Sequence, residues 1–199
     1  YELSLGERNG EYFIGAFALV PARLFNAPHA VAGPLPDSLT LFTSMFLHGG
    51  VFHLAGNMLY LWIFGNNVED AMGRVRFIVF YLLCGIIAAV GHAMTDMRSS
   101  IPMIGASGAI SGVLGAYLLL FPRARVLTLF TLGFFVRMIE VPAMVILGFW
   151  FVFQFLSALV ATGQGGGVAW FAHIGGFIAG MLFIGMFKRR TVPFWGGRG

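Results

Sequence analysis

Long apolar stretches dominate this chain, and their length limits the folds that it can adopt. Five segments, near 48–66, 76–95, 104–121, 141–161 and 168–187, each approach the roughly 20 apolar residues that one helix needs to cross a bilayer. Membrane β-strands are shorter and alternate in polarity, so these continuous runs do not fit a barrel. The pattern predicts an all-α polytopic membrane protein.

The composition agrees with this class. Hydrophobic residues make up 58% of the 199 residues and charged residues only 10%, whereas soluble domains carry about 25% charged residues. A chain of this length forms one helical bundle and leaves no room for a second sizeable domain.

Two further segments are too short to cross the membrane. Residues 126–136 are apolar but lie between arginines, which predicts an interfacial segment. Residues 12–47 contain a short amphipathic piece followed by a loop with Pro and Gly. The chain begins with YELSLGERNG, which we interpret as the tail of an earlier helix.

The basic residues orient the predicted bundle. They lie in short loops and at the C-terminus, so the net charge of +4 reflects the positive-inside rule rather than nucleic-acid binding. If the C-terminus is cytoplasmic, nine basic residues fall inside and three, Arg8, Arg23 and Arg98, fall outside. We therefore expect a cytoplasmic C-terminus.

Four polar side chains stand near the outer ends of three of these segments: His53 and Asn57 on one, Ser107 on another, and His173 on the last. Ionisable and polar groups at membrane depth are costly and usually mark function. In the orientation above, three separate helices bring the four residues to one depth. Together they supply a nucleophile, a base and two hydrogen-bond donors, the groups that a hydrolase needs.

Ser107 and His173 suit nucleophilic catalysis. A serine hydroxyl needs a base within hydrogen-bond reach, and imidazole is the usual partner. No Asp or Glu lies near His173 in the sequence, which predicts a dyad rather than a triad. Both helices carry glycines four residues apart, the small-xxx-small pattern that lets membrane helices pack closely; these are Gly108 and Gly112, and Gly176 and Gly180.

His53 and Asn57 are four residues apart, so both project from one face of a helix. Preformed donors of this kind stabilise the oxyanion of a tetrahedral intermediate. The backbone N–H of Ser107, near a helix N-terminus, adds a further donor. The sequence therefore predicts an oxyanion hole beside the nucleophile.

Four motifs occur together in this chain. GxSG is present at Gly105-Ala106-Ser107-Gly108, and a histidine motif at Ala172-His173 is followed by Gly176 and Gly180. HxxxN runs from His53 to Asn57 after His48-Gly49-Gly50, and GxxxExxxG falls at Gly65, Glu69 and Gly73. In this combination the chain, from about Thr40 to Lys188, resembles the rhomboid intramembrane serine proteases.

The resemblance implies a rhomboid-like six-helix core, of which this chain shows five full spans and an apparently truncated first helix. It makes Ser107 the nucleophile and His173 the general base. His53, Asn57 and Gly105 would then surround the oxyanion or substrate. Structural support for the site is expected from His48, Glu69, Gly108, Gly176 and Gly180. No metal or other cofactor is implied.

The resemblance also implies a domain organisation and a subcellular location. Residues 1–47 would form the remnant of the first helix and an outer loop, residues 48–190 the transmembrane catalytic core, and residues 191–199 a cytoplasmic tail. The substrates would be single-span or polytopic membrane proteins in the lipid bilayer, with no nucleic acid involved. We expect a multi-pass protein of the bacterial inner membrane whose active site opens to the non-cytoplasmic side.

Two other functions match parts of the pattern. A catalytically inactive relative that binds membrane clients should have lost Ser107 or His173, and this chain keeps both. A transporter or metal-handling protein would use His48, His53 and His173, but such a site usually includes carboxylate or thiolate ligands, which the outer halves lack. Cys84 is interpreted as a buried inert thiol, and Trp62, Trp150 and Trp170 as ordinary packing residues.

Overall fold

The computed structural model describes residues 7–27, 30–31, 33–133, 135–160 and 169–196. Helices predominate in this part of the chain, which confirms the predicted helical membrane fold. Parts of the predicted first-helix remnant, of the segments 141–161 and 168–187, and of the C-terminal tail lie outside the described residues. The domain boundaries at residues 47 and 190 stay predictions.

Short helices form the region before the bundle: α1 (Glu7–Phe17), α2 (Pro21–Leu24), α3 (Asp37–Thr43) and a 3₁₀ turn (Ser44–Phe46). Buried Arg23 ties this region together. Its Nε lies 2.8 Å from Oδ1 of Asp37, and its Nη1 donates to the carbonyl of Gly15 at 2.7 Å. One guanidinium therefore joins the three short helices α1, α2 and α3.

The bundle follows. Its elements are α4 (Val51–Tyr60), a π-helical turn (Leu61–Gly65), α5 (Asn66–Met72), α6 (Arg74–Thr95), α7 (Ser107–Leu120), α8 (Ala143–Val160) and α9 (Trp170–Phe187). By length and composition α6, α8 and α9 could each cross a membrane, and Val51–Met72 qualifies together with Asp37–Phe46, bent by 82°. The described residues thus give three or four candidate spans, and the predicted count of five stays a prediction.

Helix α7 lies at the centre of the bundle. It contacts α4, α5, α6, α8 and α9, and every residue from Gly108 to Tyr117 is buried. Because it has only 14 residues, α7 is about 21 Å long, roughly 9 Å less than the hydrocarbon thickness of a bilayer. A short central helix enclosed by longer ones leaves space above one of its ends.

An antiparallel hairpin connects α7 to α8. Strands β1 (Arg125–Leu132) and β2 (Phe135–Pro142) pair with Leu129 opposite Met138, and Gly133 at φ +58° lies in the turn. The amino-acid sequence predicts an interfacial segment at 126–136 and no strands. The hairpin is therefore an addition to the all-α description. Its β-branched and aromatic side chains favour an extended backbone.

Two backbone hydrogen bonds show which segments lie together at one end of the bundle. Arg189 N–H donates to the carbonyl of Ala71 at 2.8 Å, and Trp195 N–H donates to that of Leu119 at 2.9 Å. The basic segment after α9, the end of α5 and the end of α7 therefore share one end. Ser107, the first residue of α7, lies at the opposite end.

Candidate active site

Ser107 and His173 meet between α7 and α9. Nε2 of His173 lies 2.8 Å from Oγ of Ser107, although the two residues are 66 positions apart in the chain. The histidine is 8% exposed and the serine is half-buried at the mouth of a cavity. A hydroxyl and an imidazole nitrogen at this distance have the arrangement that a serine nucleophile and its base require.

Glycines allow this approach. A Cβ on Gly176 would overlap the carbonyl of Gly108, and a Cβ on Gly180 would overlap that of Gly112. The two helices therefore pack backbone against backbone along the two glycine pairs. Nothing larger than glycine fits at either position on α9 without pushing α7 away.

The backbone before Ser107 is fixed by two neighbours. Met103 and Leu19 exchange backbone hydrogen bonds at 2.7 and 3.1 Å, and Gly105 N–H donates to the carbonyl of Ser44 at 2.9 Å. The segments before the bundle thus hold the entry to α7. This explains how an irregular loop can present the serine at a defined position.

Gly105 makes room for His53. Its φ is +122°, and a Cβ there would lie 3.0 Å from Nε2 of His53 and 3.6 Å from Oγ of Ser107. His53 Nδ1 accepts a hydrogen bond from Gly49 N–H at 3.3 Å. The proton of the neutral ring is therefore on Nε2, which faces the space beside Oγ of Ser107 as a donor.

Asn57 supplies a second donor. It lies one turn after His53 on α4, is 7% exposed, and its Nδ2 has no hydrogen-bond partner among the described residues. A buried polar atom without a partner is costly, and such atoms are usually kept for a function. Its N–H groups suit an oxyanion that forms only during reaction.

His173 has a partner on α8 that was not predicted from the sequence. Nδ1 of its ring lies 2.7 Å from Oε1 of Gln154, which is 5% exposed in the middle of α8. The tryptophans interpreted as ordinary packing also contact this ring, with centroid distances of 5.9 Å for Trp150 and 6.3 Å for Trp170. A glutamine inside an otherwise apolar span was the available signal.

Of the residues expected to support the site, His48 and the three glycines lie beside it and Glu69 does not. His48 is buried, and its ring lies edge-on to that of His53 at 5.3 Å. Gly108, Gly176 and Gly180 lie in the α7–α9 contact described above. Glu69 lies away from the site, with Oε1 3.5 Å from Nε of Arg74 across the junction of α5 and α6.

A cavity of about 1240 Å³ opens onto these groups. Its lining includes His53, Asn57, Ser107, His173 and Trp150. This volume exceeds the roughly 300–1,000 Å³ of typical small-molecule sites. Among the described residues, no three His, Cys, Asp or Glu side chains group as a metal site would require.

The comparisons with known proteins give the family. A sequence model of the Rhomboid domain matches residues 36–190. Rhomboid protease GluP of Bacillus subtilis is 38% identical over 156 residues, which cover 76% of this chain and 28% of that protein. Rhomboid protein 1, mitochondrial, of Saccharomyces cerevisiae is 32% identical over 154 residues, covering 74% of this chain and 41% of that protein.

A plant relative matches to a similar extent. RHOMBOID-like protein 1 of Arabidopsis thaliana is 34% identical over 162 residues, which cover 77% of this chain and 38% of that protein. The chain thus spans between about a quarter and two fifths of the length of these three relatives. With a Rhomboid domain over residues 36–190 and apolar helices long enough to cross a membrane, this chain is an integral membrane protein of the rhomboid family.

Proposed function

We propose that this chain is a serine endopeptidase that cleaves membrane-protein substrates within the bilayer, with Ser107 as nucleophile and His173 as general base. The observation that carries the proposal is the 2.8 Å contact between Nε2 of His173 and Oγ of Ser107 at the cavity. An isolated serine in a helix is usually a packing residue. Its pairing with a buried histidine beside unused donors is what a hydrolase requires.

The reaction follows from the geometry. Oγ of Ser107 attacks the scissile carbonyl carbon while its proton passes to Nε2 of His173. The carbonyl oxygen becomes an anion among the Nε2–H of His53, the Nδ2–H of Asn57 and the backbone N–H of Ser107. His173 then gives the proton to the leaving amine, and an acyl-enzyme remains.

Water completes the cycle. His173 takes a proton from a water molecule as the oxygen attacks the acyl carbon, and the return of that proton releases Ser107 and a carboxylate product. The site must therefore be hydrated below the membrane surface. The cavity above the short helix α7 provides this space, because polar groups at membrane depth require a water-filled or protein-lined enclosure.

The charge distribution supports one orientation. The segment with Lys188, Arg189 and Arg190 shares an end of the bundle with the start of α6, where Arg74 and Arg76 lie. Under the positive-inside rule this end is cytoplasmic, and the cavity opens to the other side. A multi-pass protein of the bacterial inner membrane fits this arrangement.

The substrates fit the same geometry. Single-span or polytopic membrane proteins would enter from the lipid, and their helix would unwind near its outer end, since an intact helix hides its carbonyls. From the rhomboid resemblance, a small residue is expected before the scissile bond. The relative named a protease, GluP, is 38% identical over most of this chain.

The first experiment is labelling with a fluorophosphonate in native membranes, together with cleavage of a fluorogenic transmembrane peptide. We expect Ser107→Ala and His173→Ala to lose both signals. Ser111→Ala is the matched control, because this serine lies one turn further along α7 and its Oγ donates to the carbonyl of Ser107 at 2.6 Å rather than to a base.

Two outcomes would contradict the proposal. Labelling and cleavage that persist in the Ser107→Ala protein would show that another group is the nucleophile. A folded wild-type protein that neither reacts nor cleaves, yet binds membrane clients, would instead identify a catalytically inactive rhomboid-like protein.

A further inference from the structure

We propose that Gln154 is a positioning residue that holds His173 in the tautomer able to act as a base. The inference rests on the proposed function, because it concerns the same serine and histidine. It adds a fourth helix, α8, to a site otherwise built on α4, α7 and α9. It also gives a role to a polar residue in the middle of an apolar span.

The contact is short and enclosed. Oε1 of Gln154 lies 2.7 Å from Nδ1 of His173, and the two residues are 5% and 8% exposed. The other ring nitrogen, Nε2, lies 2.8 Å from Oγ of Ser107. Both nitrogens of the imidazole are therefore committed to protein partners, and the order of the three side chains is amide, imidazole, hydroxyl.

The chemistry of the amide decides where the ring proton sits. A carbonyl oxygen only accepts hydrogen bonds, so the group that faces Oε1 must be an N–H. With the proton on Nδ1, the lone pair of the neutral ring is on Nε2. This lone pair faces the hydroxyl of Ser107, which then donates its proton towards the base, as the reaction requires.

The opposite tautomer would be inactive. If an N–H of the amide faced Nδ1, the ring proton would move to Nε2 and point at Ser107. The imidazole could then not accept the hydroxyl proton. In serine proteases of other folds, loss of the correct tautomer costs about 10⁴-fold in kcat even though the residues stay in place.

The neighbouring aromatic residues do not replace this function. Trp150 and Trp170 pack against the ring of His173, but an indole N–H is a donor and has no acceptor to offer. They restrict the tilt of the imidazole and leave its tautomer open. Gln154 contributes the acceptor that fixes it.

An amide differs from the carboxylate of a triad in one respect. Both accept the Nδ1 proton and orient the ring, but a carboxylate also stabilises the charged imidazolium that forms during reaction. Gln154 offers only its carbonyl dipole for this second purpose. A carboxylate at this position should therefore preserve activity, whereas a side chain of equal length without an acceptor should not.

The test compares three variants on α8. Gln154→Met keeps the length and replaces the amide carbonyl with a thioether, which is only a weak acceptor. Gln154→Glu keeps a strong acceptor, and Ser157→Ala, which removes a second polar side chain of the helix, is the matched control. We expect kcat for a fluorogenic transmembrane peptide to fall roughly 10²-fold in Gln154→Met with KM within twofold of wild type. Gln154→Glu should stay within about fivefold of wild type, and Ser157→Ala should be unchanged.

A spectroscopic measurement makes the test independent of activity. In protein labelled with ¹⁵N-histidine, the His173 signals, assigned by their loss in His173→Ala, report which ring nitrogen carries the proton. We expect Nδ1–H in the wild type and in Ser157→Ala, and a mixture or Nε2–H in Gln154→Met.

Different results would contradict the proposed protease function and the proposed role of Gln154. If the wild type shows no cleavage that depends on Ser107, the proposed function fails, and the nitrogen spectra still decide the role of Gln154. If Gln154→Met keeps the wild-type kcat or the wild-type nitrogen signals, the positioning role is wrong. A loss of thermal stability shared by Gln154→Met and Gln154→Glu, with no change of tautomer, would reduce Gln154 to a structural residue.

Discussion

The donors beside Ser107 have different surroundings. His53 is exposed at the cavity, and its Nε2–H is fixed by the bond from Gly49. Asn57 is buried, and its Nδ2 has no partner among the described residues. The buried amide loses the most solvation in the resting state, so it gains the most when an oxyanion forms.

Replacement of Asn57 tests this difference. We expect Asn57→Ala to lower kcat about 10²-fold with little change in KM, because the oxyanion exists only during reaction. The loss should be smaller than that of Ser107→Ala. Steady-state cleavage of a fluorogenic transmembrane peptide measures both constants.

Asn67→Ala is the matched control, since this asparagine is exposed on α5. Its kinetics should equal those of the wild type. An Asn57→Ala protein with unchanged kcat would remove this side chain from the oxyanion hole.

Some residues of the site could be predicted from the sequence and others could not. Ser107, His53 and Asn57 lie in short motifs with fixed spacing, which local sequence can reveal. Gln154 has no such spacing, because its partner is 19 residues away on another helix. The packing of the helices determines which face of α8 is turned towards His173. Because α8 carries apolar residues on all sides, its sequence does not indicate which face that is.

Among the elements, the pair of α7 and α9 is the most sensitive to side-chain size. A Cβ on Gly180 would overlap the carbonyl of Gly112. We therefore expect Gly180→Ala to separate the helices, to destabilise the fold by about 1–3 kcal/mol and to weaken fluorophosphonate labelling of Ser107. Unfolding in detergent, followed by circular dichroism, measures the first effect.

A glycine elsewhere serves as the control. Gly148 on α8 has no heavy atom within 4 Å of the position of an added Cβ. Gly148→Ala should leave the stability unchanged or raise it slightly, because alanine favours a helix. Equal stabilities for the two alanine variants would show that α7 and α9 adapt to a methyl group.

The hairpin exposes several large apolar side chains on one of its faces. Leu127, Leu129, Val136 and Met138 lie on one face and are 56–62% exposed. Patches of this kind in contact with water favour aggregation, whereas the lipid interface accepts them. Because β2 leads directly into α8, a candidate span, we expect the hairpin to lie close to the membrane boundary, in agreement with the interfacial segment that the sequence predicts.

A fluorophore can test this placement. In a Cys84→Ala background, an environment-sensitive dye at Leu129→Cys should emit at shorter wavelength in liposomes and be quenched by nitroxide lipids. The same dye at Thr191→Cys, an exposed position after α9, should remain in water. Equal emission at both positions would place the hairpin away from the lipid.

The strands of the hairpin could not be predicted from hydrophobicity alone. Its two apolar runs flank Gly133, which adopts a positive φ in the turn. A run of apolar residues between arginines suits an interfacial helix and a hairpin equally well when only hydrophobicity is considered. The β-branched residues and the central glycine were the local signals that favour strands.

At the scale of the whole molecule, the bundle is organised around a helix that is too short to span it. The ends of two of the predicted segments were predictable to within a few residues, because hydropathy changes sharply near them. The predicted segment 76–95 is observed as α6 (Arg74–Thr95), and 104–121 as α7 (Ser107–Leu120). The bend before α4 and the hydrogen bonds that hold the loop at Met103 depend on distant contacts and could not be predicted.

Water access to the site follows from this shape. In a Cys84→Ala background, we expect Ser107→Cys to react with a membrane-impermeant maleimide added from the non-cytoplasmic side. Ala116→Cys, about two and a half turns deeper on the same helix and fully buried, should not react. Reaction of Ser107→Cys only from the cytoplasmic side would reverse the proposed orientation.

The neutral glutamine on α8 has a consequence for biosynthesis. Each helix enters the bilayer from the translocon before its final neighbours are in place, and an aspartate, lysine or arginine at a helix centre costs about 2.5–3.5 kcal/mol at that stage. Ser107, Asn57, His173 and Gln154 are uncharged in the forms described above. The polar groups of the site can therefore be inserted one helix at a time, and their hydrogen-bond partners need to form only when the helices assemble.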